Sequence, residues 1–266
     1  MPYSLKLLLI GLVSLPAGIV ILFLSPFDRE GKLAYRIAQI WTWAVLRIGG
    51  IRLKVHGVER LDPNRQYIFV ANHQSYIDIP ALVQALTQFQ LCWMAKKELL
   101  WVPLFGWVLW SSKHIIVDRS NLSTAMASLR KARDKIQGGI SVGIFPEGTR
   151  SPDGRLLPFK RGGFVLAVKV QAPIVPVTIK GSGAILPRGD WRIRRGEIEV
   201  IVSEPIAVNQ YHLGNLKHLL RLVRDKIESH SRRHADNRSA GSNCVRALVH
   251  AEALLGRLRY PWIHCE

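Results

Sequence analysis

The feature that most constrains this fold is a run of 21 residues without a charged side chain, Leu7–Phe27. A helix of this length can cross a hydrocarbon core of about 30 Å. Gly11, Pro16 and Gly18 interrupt the run, so the pattern predicts a helix broken midway and leaves open whether the segment spans the bilayer or half-inserts. A cleaved signal peptide is disfavoured, because only one lysine precedes the run and no small-residue cleavage site follows it.

A second apolar stretch, Ile37–Leu46, is too short to span a bilayer. It contains Trp41 and Trp43 and has arginines on both sides, a combination typical of the membrane–water interface. An ordinary core helix is the alternative interpretation. The sequence therefore predicts a membrane-associated helical segment over residues 1–50.

Beyond residue 50, strand patterns alternate with helix patterns. Strands are predicted over Ile51–Val55, Tyr67–Val70, His114–Val117, Ile140–Phe145, Ile174–Ile179 and Glu197–Val202. Helices are predicted over Ala81–Phe89, Ser120–Gln137, Arg161–Gln171 and Leu213–Ser229. This alternation predicts an α/β domain over residues 51–229, with a mixed sheet flanked by helices. The tryptophan-rich stretch Trp93–Trp110 is either a packed connector or a second membrane-contacting surface, and residues 230–266 are a basic linker with a short terminal helix, Val245–Leu258.

The chain is strongly basic, with 37 Lys and Arg against 19 Asp and Glu and a formal charge of +18. Such an excess implies an anionic partner, which is a nucleic acid, an anionic lipid surface or a phosphorylated substrate. Cys92, Cys244 and Cys265 form no metal-binding spacing and leave one cysteine over. They therefore favour a reducing compartment and disfavour a disulfide framework or a structural metal.

A histidine followed by an aspartate marks the first candidate site. His73 comes just after the predicted strand Tyr67–Val70, at the kind of strand end where α/β proteins place their sites, and Asp78 lies five residues on. A carboxylate beside an imidazole can fix its tautomer and stabilise the imidazolium that forms when it takes a proton. Residues five apart on one helix point about 140° apart, so the pair requires a turn at residues 74–76. The alternative is a solvated loop histidine and a helix-capping aspartate.

A second turn carries charged side chains at another strand end. The strand Ile140–Phe145 leads into a glycine-containing turn that presents Glu147 and Arg150, and Lys160 adds charge near the start of the following helix. Arg119 follows a further strand. Guanidinium groups offer planar donors that match phosphate oxygens, and helix N-termini favour anions. The pattern predicts an anion site that faces the same cleft as His73.

One sequence match points to a different chemistry and is rejected. Gly139–Gly143 matches the Gly-x-Ser-x-Gly turn of serine hydrolases, which needs a strand before the serine and a helix after it. Here a helix precedes Ser141 and a strand follows, so Ser141 is predicted to lie within the sheet. The sequence contains no phosphate-binding loop, dinucleotide-binding turn or His-Glu-x-x-His, so nucleotide hydrolases, dehydrogenases and zinc proteases have no support.

Four short blocks occur in a fixed order: Asn72-His73-x-x-x-x-Asp78, Val117–Arg119, Phe145–Ser151 and Ile174–Val177. In that order they resemble the blocks of the glycerolipid acyltransferases, most closely the bacterial 1-acyl-sn-glycerol-3-phosphate acyltransferases. The resemblance covers about residues 35 to 205. The chain departs from the family pattern at Lys113, where glycine is common, and beyond residue 210.

The resemblance implies specific roles for the residues in these blocks. His73 would act as general base on a glycerol hydroxyl, with Asp78 orienting it, and no acyl-enzyme would form. The phosphate and glycerol of the lysolipid would contact Arg119, Glu147, Gly148, Thr149, Arg150 and Lys160. No metal and no cofactor is implied.

The resemblance also implies substrates and a location. The acyl donor would be acyl-CoA or acyl carrier protein, and the acceptor the 2-hydroxyl of lysophosphatidic acid. Because lysolipid and product reside in a bilayer, the expected location is the bacterial inner membrane, with the active site on the cytoplasmic face. Another lysolipid or an acylated amino acid as acceptor stays open. The alternative from a different class is a membrane-tethered module that binds nucleic acid or anionic lipid, which is disfavoured because no aromatic-basic strand motif is present.

Overall fold

The computed structural model describes residues 1–117 and 122–231, without the side chains of residues 122–125. Residues Met1–Glu228 form one compact unit. Several features of the sequence analysis lie outside the described residues, among them Arg119, the start of the predicted helix Ser120–Gln137 and the predicted helix Val245–Leu258.

A seven-stranded sheet forms the centre of the described chain. Its strands are β1 (Ile51–His56), β2 (Ile68–Ala71), β3 (Leu91–Lys96), β4 (Ile115–Val117), β5 (Ser141–Ile144), β6 (Ile174–Lys180) and β7 (Gly196–Val202). Their order across the sheet is β1-β7-β6-β2-β5-β3-β4. The β6–β7 pair is antiparallel and every other neighbouring pair is parallel. The C-terminal ends of β2, β3, β4 and β5 therefore meet at one edge, as the predicted cleft requires.

Helices cover both faces of this sheet. They are α1 (Tyr3–Leu24), α2 (Lys32–Gly49), α3 (Asp78–Ala85), α4 (Phe105–Ser111), α5 (Leu122–Gln137), α6 (Gly162–Val170), α7 (Ser182–Ile185) and α8, over residues 216–231. Strand β2 shows how the faces divide, since Phe69 joins a core with residues of α2 and α3, and Ile68 and Val70 join one with residues of α5, α6 and α8. Helices on both faces are typical of parallel strands, which are buried on each side. The predicted α/β class with a mixed sheet is confirmed.

Strand β3 and helix α3 differ from the prediction. Strand β3 occupies the first part of the stretch Trp93–Trp110, where no strand was predicted, because it pairs with β5 and β4 on either side. Helix α3 begins at Asp78 and not at Ala81, and it ends at Ala85, after which Leu86–Phe89 makes a turn. In both places tertiary pairing and packing override the local pattern.

Helix α1 is continuous through Gly11, Pro16 and Gly18, so the predicted break was wrong. Packing explains the difference at Gly18, where an added Cβ would lie 3.3 Å from Val108 Cγ2 of α4, so glycine allows the two helices to approach. Helix α2 supports α1 from another side, since Trp41 Nε1 donates to Ser14 Oγ at 2.8 Å.

An exposed apolar stripe runs along α1. It consists of Leu8, Leu12, Leu15, Ile19 and Phe23, each more than half exposed. Among the described helices, α1 is the one whose length and composition suit a membrane crossing, a criterion that core helices and N-terminal signal sequences also meet. A location in the protein core is ruled out, because only 11% of the apolar 18-residue segment of α1 is buried. Burying this stripe in lipid removes apolar surface from water.

Helix α2 combines the two interpretations of its sequence. One face is part of the core, with Tyr35, Val45 and Leu46 buried. The opposite face exposes Ile40 and Trp43. The second tryptophan-rich stretch also exposes Trp101, Trp107 and Trp110, and α4 packs against α1. Exposed apolar side chains are therefore concentrated around α1.

We expect deletion of residues 1–27 to weaken membrane association and to lower activity on bilayer substrates, because the deletion removes the exposed stripe. Sedimentation with vesicles and activity on vesicle-borne acceptor would measure both. Because α1 also packs on α2 and α4, a second variant with Leu12→Lys and Ile19→Lys tests the exposed face alone while keeping the helix. Trp43 is expected to keep part of the binding, so each variant should lose binding only in part. Sedimentation equal to wild type in both variants would contradict the anchor.

Candidate active site

The chain turns sharply between β2 and α3, and this turn brings His73 and Asp78 together. His73 Nδ1 lies 2.8 Å from Asp78 Oδ2. The same oxygen accepts the amide protons of Gln74 at 2.7 Å and Ser75 at 2.8 Å. Asp78 is fully buried. A carboxylate held in this way fixes the proton on Nδ1, so Nε2 carries the lone pair that can accept a proton from a substrate.

The imidazole of His73 is also held from its face. Its ring stacks on Phe145 with centroids 4.0 Å apart, and Phe145 stacks on Trp93 of β3 at 5.5 Å. Gly143 leaves the space for this arrangement, since a Cβ there would lie 2.7 Å from the Trp93 ring. The stack was missed because Phe145 was assigned no role of its own and Trp93 was assigned to a connector or a membrane surface.

Glu147 connects the two turns at the site. Its Oε1 accepts the amide proton of His73 at 2.8 Å, and its Oε2 accepts that of Leu157 at 3.0 Å. Burial raises the pKa of this carboxyl, and the two amides act in the opposite direction. The Ser151 amide adds a second link by donating to the His73 carbonyl at 2.8 Å. Glu147 thus holds the backbone that carries His73, and direct contact between Glu147 and substrate stays a prediction.

Asn72 is a further positioning residue that was not assigned a role. Its Oδ1 accepts the Ile179 amide proton at 2.7 Å, and its Nδ2 donates to the Ile179 carbonyl at 2.9 Å. The side chain therefore continues the pairing of β2 with β6 beyond the end of β2. The available signal was an amide residue at the end of an apolar strand, directly before the histidine.

Arg150 lies beside the histidine turn. Its guanidinium carbon is 3.6 Å from the ring centroid of Tyr76, a cation–π contact. Its Nη1 is buried and has no hydrogen-bond partner among the residues that the structure describes. A buried guanidinium nitrogen without a partner is costly unless a ligand supplies an acceptor. Arg150 therefore has the donor that the predicted anion site requires.

The other residues predicted to contact substrate lie in the turn before Arg150 or just before α6. Gly148 has a φ of 70°, which favours glycine, and its amide donates to the Phe145 carbonyl to close the turn. Thr149 is exposed on that turn. Lys160 is exposed just before α6, and its amide donates to the Pro146 carbonyl at 2.8 Å. Binding of substrate by these three residues stays a prediction.

Other reactive side chains near the sheet lack the features of catalytic groups. Burial lowers the pKa of His114 to about 4, so it is neutral at pH 7 and its Nδ1 accepts the Trp93 amide proton at 3.3 Å. Burial raises the pKa of Cys92 to about 11, so its thiol stays protonated. Among the described residues, no group of three or more His, Cys, Asp or Glu side chains is placed to hold a metal ion.

The chain is similar in sequence to known acyltransferases. The family model described as Acyltransferase matches residues 52–180. A 1-acyl-sn-glycerol-3-phosphate acyltransferase from Limnanthes douglasii is 34% identical over 210 residues, which are 78% of this chain and 74% of that enzyme. The chain belongs to the family of 1-acyl-sn-glycerol-3-phosphate acyltransferases. The resemblance of its four sequence blocks to glycerolipid acyltransferases is thereby confirmed.

Further acyltransferases of this family match in sequence and in structure. The enzyme from Chlamydomonas reinhardtii is 30% identical over 75% of this chain, and the chain spans 61% of that enzyme. The crystal structure of the 1-acyl-sn-glycerophosphate acyltransferase PlsC from Thermotoga maritima superposes with a TM-score of 0.71 at 28% identity, over 87% of this chain and 94% of that one. The fold of this acyltransferase is therefore shared with a solved member of its family.

For this acyltransferase we expect Arg150→Ala to raise the KM for a phosphate-bearing acceptor far more than the KM for the acyl donor. The change would remove the predicted charge-assisted contact to the headgroup, on which the donor is not expected to depend. Steady-state kinetics with each substrate varied in turn would measure the difference. Arg155→Ala, at an exposed arginine in the same loop, is the matched control. An equal rise in both KM values for Arg150→Ala would instead assign Arg150 a structural role.

The rejected serine provides a negative control. Ser141 is buried in β5, as its sequence context predicted, and its Oγ accepts the Tyr67 amide proton at 3.1 Å. We expect Ser141→Ala to lower the free energy of unfolding by about 1–3 kcal/mol, because the buried Tyr67 amide loses its acceptor. The kcat per folded acyltransferase should not change. Thermal unfolding and kinetics would test both, and a collapse of kcat in folded protein would restore the hydrolase interpretation.

Proposed function

We propose that this chain transfers an acyl chain from a thioester donor to the free 2-hydroxyl of lysophosphatidic acid, giving phosphatidic acid. The observation that carries the proposal is the hydrogen bond from His73 Nδ1 to the buried Asp78, which leaves Nε2 to accept a proton at the sheet edge. The names of the relatives support this acceptor.

The proposed reaction needs no covalent enzyme intermediate. His73 Nε2 takes the proton of the acceptor hydroxyl as its oxygen attacks the thioester carbonyl. The tetrahedral intermediate then collapses, the carbon–sulfur bond breaks, and the imidazolium returns the proton to the leaving thiolate. Asp78 stabilises the imidazolium between these steps. A thioester is already an activated acyl group, so direct attack by the hydroxyl is sufficient.

Two effects supply most of the rate enhancement in this proposal. A positioned general base typically contributes about 10²–10⁴-fold. Alignment of the hydroxyl and the thioester in one cleft can lower the barrier by about 7–11 kcal/mol. The rigid position of His73 serves the second effect, because Asp78, Glu147 and Phe145 restrain its ring and its backbone.

Arg150 is proposed to bind the acceptor phosphate, since its buried Nη1 needs an acceptor oxygen. Lys160 and Arg119 are proposed to add charge to the same site. Arginine suits this task because its planar donors match phosphate oxygens in pairs. A bound phosphate beside the histidine turn would bring the glycerol hydroxyl toward Nε2.

The proposed location of the enzyme is the cytoplasmic face of a bacterial inner membrane. The exposed apolar stripe on α1 and the formal charge of +18 support a position on an anionic lipid surface. In that position the lysolipid is reached from the bilayer, and the donor, acyl-CoA or acyl carrier protein, is reached from solution. No nucleic acid takes part.

A panel of acceptors with both donors would test this function. Purified enzyme is given lysophosphatidic acid, lysophosphatidylglycerol, lysophosphatidylethanolamine or an acylated amino acid, each with acyl-CoA and with acyl carrier protein. Mass spectrometry identifies the products. We expect phosphatidic acid to form at least tenfold faster than any other product, with His73→Ala as the blank. Comparable rates with acceptors that lack a phosphate monoester would overturn the proposed acceptor.

A further inference from the structure

A basic loop with an exposed tryptophan lies between α7 and β7. This arginine–tryptophan loop, residues 187–195, carries one aspartate and four arginines, at Arg188, Arg192, Arg194 and Arg195. Trp191 is 64% exposed. Asp190 organises the loop, because its oxygens accept from Arg192 at 3.0 Å and from Arg194 at 2.9 Å. The loop therefore presents an ordered cluster of positive charge beside an aromatic ring.

The loop is joined directly to the catalytic turns. Trp191 stacks on Tyr76 with ring centroids 5.9 Å apart, and Tyr76 lies under Arg150. Arg188 Nη1 donates to the Arg150 carbonyl at 3.1 Å. Ser75 Oγ donates to the Leu186 carbonyl, directly before the loop, at 2.8 Å. Any surface on which the loop rests is thus held at a set distance from the active site.

The loop also adjoins the apolar N-terminal helices. Lys6 Nζ of α1 donates to the Ile193 carbonyl at 2.9 Å and to the Gly49 carbonyl at the end of α2 at 2.7 Å. In the last two turns of α2, Arg47 lies over the exposed ring of Trp43 at 5.6 Å. The exposed stripe of α1 therefore begins next to a group of arginines and aromatic rings.

We propose that the arginine–tryptophan loop docks on the anionic phospholipid headgroups of the bilayer and holds the active site at headgroup level. Arginines are attracted to anionic headgroups, and tryptophan and tyrosine prefer the membrane–water interface. An acidic carrier protein would also suit the charge, but it does not account for exposed aromatic rings or for the contact with the apolar helix. The proposal goes beyond the proposed reaction, because these lipids belong to the surface and are not substrate.

Vesicle partitioning of the full chain tests this docking. The probes are vesicles of phosphatidylcholine alone and vesicles of phosphatidylcholine with phosphatidylglycerol, and the variant is Arg192→Gln with Arg195→Gln. A basic residue near an anionic surface contributes about fivefold in partitioning, so the double variant should lose about 25-fold of its preference for anionic vesicles. Partitioning into pure phosphatidylcholine should not change. Trp191→Ala should weaken binding to both kinds of vesicle several-fold.

The matched control changes the same charge elsewhere. Arg130→Gln with Arg133→Gln removes two exposed arginines from α5, which packs on the other face of the sheet from α2. We expect less than a twofold change in its preference. Arg195→Gln alone should lose about fivefold, and it keeps the Asp190 contacts intact.

Three results would overturn the docking proposal. Equal losses in the loop and α5 variants would assign the preference to net charge. If the loop variants keep the full preference for anionic vesicles, the loop does not bind the lipid surface. A raised KM for acyl carrier protein in detergent, with unchanged partitioning, would assign the loop to the carrier protein. Because partitioning is measured without catalysis, failure of this docking proposal is distinguishable from failure of the proposed reaction.

Discussion

Replacement of His73 by alanine is expected to lower kcat by about 10²–10⁴-fold, the usual contribution of a positioned general base. Nε2 of this ring is the proposed proton acceptor for the substrate hydroxyl. His114 is not expected to replace it, because His114 Nδ1 is held by the Trp93 amide of β3. The KM values should change much less, since the ring takes the proton and does not hold the headgroup. Initial rates at saturating donor and acceptor would measure the effect.

The matched control for this variant is His56→Ala. His56 is an exposed histidine on the edge strand β1, which β7 and β6 separate from β2, and we expect its replacement to leave kcat unchanged. Circular dichroism and vesicle binding would show that both variants fold and reach the membrane. A trap for acyl-enzyme belongs in the same experiment. Near-full activity of His73→Ala, or a stable acyl adduct on the wild-type chain, would contradict the mechanism.

Asp78→Asn is expected to have the second-largest effect, a loss in kcat of about 10²-fold or more, somewhat smaller than that of His73→Ala. Asparagine keeps the shape but loses the charge that stabilises the imidazolium. It also disturbs the turn, because Oδ2 of Asp78 accepts two backbone amide protons besides the imidazole proton. If the amide presents its NH₂ group to the ring, the wrong tautomer is favoured.

The double variant of His73→Ala with Asp78→Asn separates a positioning role from an independent one. If Asp78 acts through the imidazole, the double variant should be little slower than His73→Ala alone, because the two residues act as one unit. Kinetics of the three variants in folded protein would show this. Losses that multiply would mean that Asp78 contributes to catalysis without His73.

Local sequence patterns predicted most of the strands, but not β3. Strands β2, β5 and β6 are short runs of apolar and β-branched residues, which is the pattern of strands buried on both faces. In β3 the run Leu91–Lys96 mixes tryptophan and lysine with apolar residues and continues into further aromatic residues, so the local pattern was ambiguous. Pairing with β5 and β4 is a tertiary condition, and it decides the conformation there.

The predicted break in α1 was wrong for a similar reason, since local sequence does not report tertiary contacts. Glycine and proline lower helix stability in isolation, so the pattern alone favours an interruption. The close approach of Val108 to Gly18 and the hydrogen bond from Trp41 to Ser14 support the helix from outside. Neither contact is visible in the local sequence.

The sequence by itself determined which residues follow strands β2 and β5, and so it identified His73, Asp78, Glu147 and Arg150 as the candidates for chemistry. Only the tertiary structure decided how they meet. Strands β2 and β5 are neighbours, although more than seventy residues separate His73 from Glu147, and this pairing brings a buried carboxylate to the histidine backbone. The reason is physical: hydrophobic periodicity reports which face of an element is buried, whereas strand order depends on hydrogen bonds and burial between segments distant in the chain.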